Sequence, residues 1–429
     1  MKDISLDNSH LDMEIELGDD TTNEQTKDSP PPLSEISRMM ETFNIKTFLY
    51  LSAFSILGVC SRVGLDQLFE GYVTTNGRSE QQGGALFSDL PANMVGSFVV
   101  GFITSISFVE LQDHIMVGWK TGFCGSLTTF ASWNSQMVVM MDGTINKQLG
   151  SQTGTAFFGY LIGIEIAIMS YRMGKQFATY LDHYIFILKE SQTITDSNNN
   201  DETEEKKLNQ PSESMNEGSG SKKKVKKYFY VVINTSPFIL SLFLLIFFIV
   251  RDQKDLSMSK AESAQNSMEE LRNLFFQKMW LCCLLAPFGT IFRWKLSALN
   301  NPQNKVIEPI IMALKLPSWI PYGTLFANIL GSIFSIIAVG ILDRLAIQGK
   351  VQSLQSIHNI QGQLLLSVLG ALKTGFAGCL STVSTFVTEI EKEVEKHPHV
   401  GRGYIYGFFS LFLACLLGLC VYIPLVRVL

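Results

Sequence analysis

Two clusters of small and hydroxyl-bearing residues interrupt otherwise apolar stretches. One is Lys120-Thr-Gly-Phe-Cys-Gly-Ser-Leu-Thr-Thr-Phe-Ala-Ser-Trp133 and the other is Lys373-Thr-Gly-Phe-Ala-Gly-Cys-Leu-Ser-Thr-Val-Ser-Thr-Phe386. In each, a glycine pair (Gly122/Gly125, Gly375/Gly378) precedes two hydroxyls (Thr128-Thr129, Ser381-Thr382). Such a cluster breaks a helix, and in lipid a broken helix is tolerated only where its freed backbone faces protein or a polar pathway. Two chemistries fit: a packing seam of small residues, or an ion site built from exposed carbonyl dipoles. Recurrence of the break in two corresponding places favours the ion site.

Other polar groups sit near these breaks. Asn93 and Asn328 are amides inside apolar runs. Each offers two N–H donors, to an anion or to a neighbouring helix. Phe130, Trp133 and Phe386 are spaced along the broken segments; a ring edge is electropositive, so edges turned into a pore can hold a small anion and repel cations. Arg62, Arg293, Lys120 and Lys373 lie near the ends of apolar runs, as snorkelling anchors or as a vestibule that concentrates anions. Glu165 is the one carboxylate near the middle of a run, and it has no counterpart elsewhere.

The elements that must position these groups follow from composition. The chain has 429 residues, 46% hydrophobic and 17% charged, with a mean hydropathy of +0.19, which is too apolar for an ordinary soluble protein. Against the roughly 20 residues needed to span hydrocarbon, nine spans are expected. Four fall at residues 47–65, 86–109, 115–141 and 153–171, one at 228–250, and four at 274–292, 318–342, 364–388 and 404–426. Residues 1–44 read as an acidic disordered tail without a signal-peptide core, 175–227 as a disordered linker ending in lysines, and 251–273 as a charged loop. The seven cysteines all lie in apolar stretches and read as buried thiols.

The two groups of four match one another. Gly58-x-x-x-Arg62 corresponds to Gly289-x-x-x-Arg293, and Ala92-Asn93-x-x-Gly96-Ser97 to Ala327-Asn328-x-x-Gly331-Ser332. Three landmarks in one order mark an internal duplication, 45–174 and 274–429. A four-span unit returns the chain to its starting side, so the extra crossing at 228–250 inverts the second unit. The expected fold is therefore an all-α membrane protein of two inverted four-helix repeats joined by one inverting helix. The lysines of 222–227 place the amino terminus in the cytoplasm and the carboxyl terminus outside.

Taken together, these motifs resemble the CrcB-like fluoride channel family in its single-chain eukaryotic exporter form, over both four-span units. The resemblance implies a central sodium ion at the helix break, held by backbone carbonyls of Gly125, Thr128, Gly378 and Ser381. It implies a fluoride path lined by Asn93, Asn328, Thr129, Thr382, Ser384, Tyr406 and Ser410, with Phe130 and Phe386 completing one pore. The second pore receives Trp133 and Val383 and is expected to be degraded. Glu389 closes the third helix of the second half where the first half has Gln136.

The implied function is passive, fluoride-selective export from the cytoplasm across the plasma membrane, giving fluoride resistance. The chain would work as a monomer with pseudo-dimeric repeats in the lipid bilayer, with no nucleic-acid partner. One alternative is an inverted-repeat, proton-coupled transporter of a small cation or drug, which would need Glu165 at its centre; another is a non-conducting scaffold using the basic linker. No catalytic constellation is present, so an enzyme is not expected.

Overall fold

The computed structural model describes residues 45–73, 86–107, 112–142, 149–204, 235–250, 279–350, 360–396, 398–399 and 401–428. The tail 1–44, the linker beyond residue 204 with its lysine cluster, and the loop 251–273 lie outside the described residues. Every regular element among the described residues is helical.

In the first half, α1 (Ile45–Val73) and α2 (Leu90–Ser105) precede a broken helix. Its first arm is α3 (Asp113–Val117), which runs on through a π-helical turn at Gly118–Cys124 and a last turn at Gly125–Leu127. The second arm is α4 (Ala131–Asp142), and α5 (Leu149–Glu204) follows. A short α6, Thr235–Val250, stands between the halves. The second half repeats the order: α7 (Met279–Leu296), a short α8 (Glu308–Leu314), α9 (Tyr322–Ile347) and a second broken helix. That helix comprises α10 (Ile360–Ala371) continuing through a π turn at Leu372–Ala377 and Gly378–Leu380, then α11 (Ser384–Val394). α12 (Gly401–Ile423) follows and runs into a π turn at Pro424–Val428.

Five helical stretches are long and apolar enough to cross a membrane: Ile45–Phe69, Gln152–Ile187, Tyr322–Ile347, Gln361–Val394 and Gly401–Arg427. Leu90–Ser105 and Thr235–Val250 are apolar but shorter. The composition of the chain ends the first repeat unit at residue 174 and begins a disordered linker at Lys175. That boundary needs correction, because α5 continues unbroken to Glu204. No Gly or Pro occurs between Lys175 and Glu204, so nothing stops the helix. Lys175 is itself pinned to α11 by an ion pair with Glu395, one turn beyond the pair Arg172–Glu391 at 2.9 Å.

The packing repeats as the sequence does. α2 lies on α5 as α9 lies on α12, and α4 touches α5 as α11 touches α12. Contacts between the halves also come in exchanged pairs: α4 reaches α9 and α12, while α11 reaches α2 and α5. α1 packs against α7, its own counterpart. Gly58 and Gly289 show why the first helices sit where they do. A Cβ on either would come within 2.6 Å or 2.3 Å of a carbonyl, Phe123 O and Phe376 O, on the π turn of its own half. Only glycine lets these helices lie on the backbone of the break.

Candidate ion site at the paired helix breaks

Both breaks have the same backbone. Thr128 (φ −86°, ψ 149°) and Ser381 (φ −86°, ψ 163°) are extended residues between two helical arms. Each ends its first arm by bonding back four residues, Thr128 N to Cys124 O and Ser381 N to Ala377 O, both at 3.0 Å. The second arms then begin with orphan N–H groups, as every helix does.

The caps come from the opposite half. Thr128 Oγ1 accepts hydrogen bonds from Val383 N (3.2 Å) and Ser384 N (3.1 Å), at the start of α11. Ser381 Oγ accepts from Phe130 N (3.2 Å) and Ala131 N (2.9 Å), at the start of α4. Thr382 and Ser384 hydroxyls lie 3.3 Å and 3.1 Å from Thr128 Oγ1, and Thr129 Oγ1 lies 3.2 Å from Ser381 Oγ. A side-chain N-cap contributes about 1 kcal/mol, and here each cap also ties one half to the other. Ser serves at 381 as Thr serves at 128 because the hydroxyl is what works, a role the reading of these positions as carbonyl ligands did not include.

The asparagines brace the breaks from the side. Asn93 Oδ1 accepts from Thr129 N at 2.8 Å, and Asn328 Oδ1 accepts from Thr382 N at 2.7 Å. Their amide nitrogens differ. Asn93 Nδ2 donates to Thr129 O at 3.1 Å, while Asn328 Nδ2 is buried with no partner among the described residues. Ser97 Oγ and Ser332 Oγ, one turn further along α2 and α9, are likewise buried and unpaired. Unpaired buried donors are costly, and three of them beside the breaks are available to a bound anion.

Phe130 and Phe386 are fully buried and meet edge to face, with centroids 5.6 Å apart and planes at 85°. The aromatic column continues at both ends: Trp133 meets Phe130 at 5.7 Å, and Tyr406 meets Phe386 at 5.2 Å. Trp133 is wedged against Phe87, its Nε1 donating to Gly159 O at 3.3 Å. Gly163 makes the room, since a Cβ there would lie 2.4 Å from the indole. Val383 is buried in the same apolar cluster.

Glu389 collects three donors: Thr324 Oγ1 (2.6 Å) and Asn300 Nδ2 (2.9 Å) on one oxygen, and Tyr406 OH (3.0 Å) on the other. Gln136, at the same place in the first half, accepts from Ser88 N at 3.3 Å. Ser410 does not point a free hydroxyl anywhere; it donates to Tyr406 O in its own helix at 2.7 Å. Lys120 and Lys373 are half-buried at the starts of the two clusters. Glu165 is exposed on α5, away from the breaks.

The arginines reach across. Arg293, on α7, donates through Nη1 to Gly125 O (2.6 Å) and Ser381 O (2.9 Å), and through Nη2 to Thr121 O. Arg62, on α1, donates through Nη2 to Thr374 O in the second break. Both side chains are buried, so neither is the vestibule or anchor residue expected from the ends of the runs. Two of the four carbonyls expected to hold sodium, Gly125 O and Ser381 O, are taken by Arg293, and a sodium ion fits poorly beside it. One bound by the same two oxygens would lie on the order of 4 Å from the guanidinium, a repulsion of about 4 kcal/mol at an effective dielectric of about 20.

Several contacts escaped sequence reasoning. Asn134 accepts from Tyr160 OH (2.6 Å) and donates to Ala414 O (3.2 Å), and Ser135 bonds Ser335 across the halves at 2.8 Å. Thr324 had a usable signal, lying one helical turn before Asn328 and so on the same face. The others are not duplicated and left no mark in the repeat.

Described residues that are helical throughout their regular elements, apolar helices long enough to span a membrane and two interlocked breaks define a duplicated membrane protein. The chain belongs to the family described as CrcB-like protein, Camphor Resistance (CrcB), which matches residues 49–170 and 280–422. It is 24% identical over 357 residues to Fluoride export protein 1 of Candida albicans, covering 78% of this chain and 70% of that one. It is 23% identical over 327 residues to Fluoride export protein 2 of Saccharomyces cerevisiae, covering 70% and 74%. A shorter relative, Fluoride-specific ion channel FluC 1 of Lactobacillus johnsonii, is 33% identical over 89 residues, covering 20% of this chain and 67% of that one. No solved structure is matched.

Proposed function

We propose that this chain is a passive, fluoride-selective channel that exports fluoride from the cytoplasm across the plasma membrane. The observation that carries this reading is the buried edge-to-face pair Phe130/Phe386, one helical turn from Thr382, which is braced by an asparagine with an unused N–H donor. Ring edges, hydroxyls and an amide donor replace the water shell of a small, strongly hydrated anion. The names of the fungal and bacterial relatives support the same substrate.

Fluoride enters cells as neutral HF and is trapped as the anion in a more alkaline cytoplasm. A membrane potential negative inside then drives it out, each charge gaining about 2.3 kcal/mol per 100 mV. No pump is required. The exchanged contacts between the halves support two repeats related by a pseudo-two-fold axis; in this reading they are inverted, joined by α6 within nine spans, and one chain acts alone, with its amino terminus inside and its carboxyl terminus outside. The short bacterial relative, matched by a fifth of this chain, has the length of one repeat. The proton-coupled alternative loses support because Glu165 is exposed.

Reconstitution into liposomes tests the proposal. Efflux read by a fluoride electrode should be rapid and run down the gradient without a proton gradient, and chloride efflux should be slower by orders of magnitude. Equal efflux of both halides, or a requirement for a proton gradient, would refute it.

A further inference from the structure

Each half's Gly-x-x-x-Arg motif ends on the other half's break. Gly125 leaves space for Arg293, since a Cβ there would lie 2.3 Å from Nη2. Gly378 leaves space for Arg62 in the same way, at 2.5 Å. The second glycine of each cluster is therefore small because an arginine from the opposite repeat is seated against it. The two arginines are not equivalent. Arg62 meets one carbonyl, Thr374 O, and its Nη1 is unpaired. Arg293 meets three carbonyls, its Nη1 joins Gly125 O of the first half to Ser381 O of the second, and its Nε is unpaired. Among the described residues it forms no ion pair, so backbone dipoles alone compensate its charge. Carbonyls freed by an interrupted helix are the oxygen set that otherwise binds a small metal cation.

We propose that Arg293 is the resident cation of this centre: its guanidinium takes the place of a bound monovalent metal ion and fastens the two breaks to each other. A covalently attached charge cannot dissociate, so the joint between the halves holds at any external cation concentration. The planar fork suits the task, because one Nη can bond two carbonyls while the other reaches a third. A fused chain can specialise in this way because its two arginines evolve separately; Arg62 sits one turn before Asp66, whereas Arg293 has Ser297 at that spacing.

The test rests on the channel reading only for its flux arm, and a melting arm stands without it. Full-length protein is compared in sodium salts and in N-methylglucamine salts, by thermal melting in detergent and by fluoride efflux from liposomes. The wild type should melt at the same temperature and conduct within about twofold in both. Arg293→Ala should lose at least tenfold of its efflux in N-methylglucamine and regain part of it as sodium is added, with a parallel rise in melting temperature. Gly125→Ala, whose methyl collides with the guanidinium, should behave alike. A wild type that melts earlier or conducts poorly without sodium overturns the proposal, as does an Arg293→Ala protein indifferent to sodium. If Arg293→Ala does not fold, the wild-type comparison decides. If the wild type conducts no fluoride in either salt, the channel reading fails and melting alone decides the cation.

Discussion

The first and second breaks share a backbone and differ in the aromatic and polar side chains beside it. Thr128 and Ser381 have the same extended geometry and cap each other's helices. Around that frame, Phe130 and Trp133 in one half stand opposite Val383 and Phe386 in the other, and Gln136 stands opposite Glu389. Asn93 closes its amide on Thr129 O, whereas Asn328 leaves its nitrogen unpaired. Fusion of two copies removes the demand that both be alike. What stays paired is what builds the joint, and what diverges is what fills the two routes beside it.

Trp133→Ala should break the comparison most severely. It empties a fully buried indole site beside Phe87 and Gly163, which costs about 3–5 kcal/mol, visible as a large fall in melting temperature. Per folded molecule, fluoride efflux should fall less than for a change at Phe130. Glu389→Ala comes next. It strands three donors from Asn300, Thr324 and Tyr406, at about 2–4 kcal/mol, while Gln136→Ala should cost about 1 kcal/mol. Equal losses at the two positions would remove this difference between the halves.

Phe130→Ile and Phe386→Ile should each reduce fluoride efflux roughly fivefold, since a lost ring-edge contact is worth about 1 kcal/mol. The equivalent change Val383→Ile should leave efflux near the wild type. If the Val383 variant fails and the Phe130 variant conducts, the routes have been assigned the wrong way round. Ser381→Ala should cost about 1 kcal/mol by removing a helix cap, and Ser381→Thr should restore it. The smallest effect is expected at Glu165, which is exposed; Glu165→Gln should leave both melting and efflux unchanged.

The sequence by itself determined the duplication and the places of the two breaks, whereas the Phe130/Phe386 pairing came only with the family resemblance. The duplication and the breaks are local, or repeat at a fixed register, and a repeat can be read without knowing what touches what. Composition likewise announced the apolar helices. It misplaced the end of α5, because polar residues without a helix breaker extend a helix that ion pairs to α11 hold in place. Only the tertiary structure decided where the long side chains go. Arg62 and Arg293 looked like span-end anchors, yet each bends onto the opposite half's glycine. The resemblance singles out Ser381 and Thr128 for their carbonyls, and only the packed structure shows that their hydroxyls cap helices that begin in the other repeat. A contact between groups hundreds of residues apart leaves no trace in local spacing, and its partner is fixed only once both halves have packed.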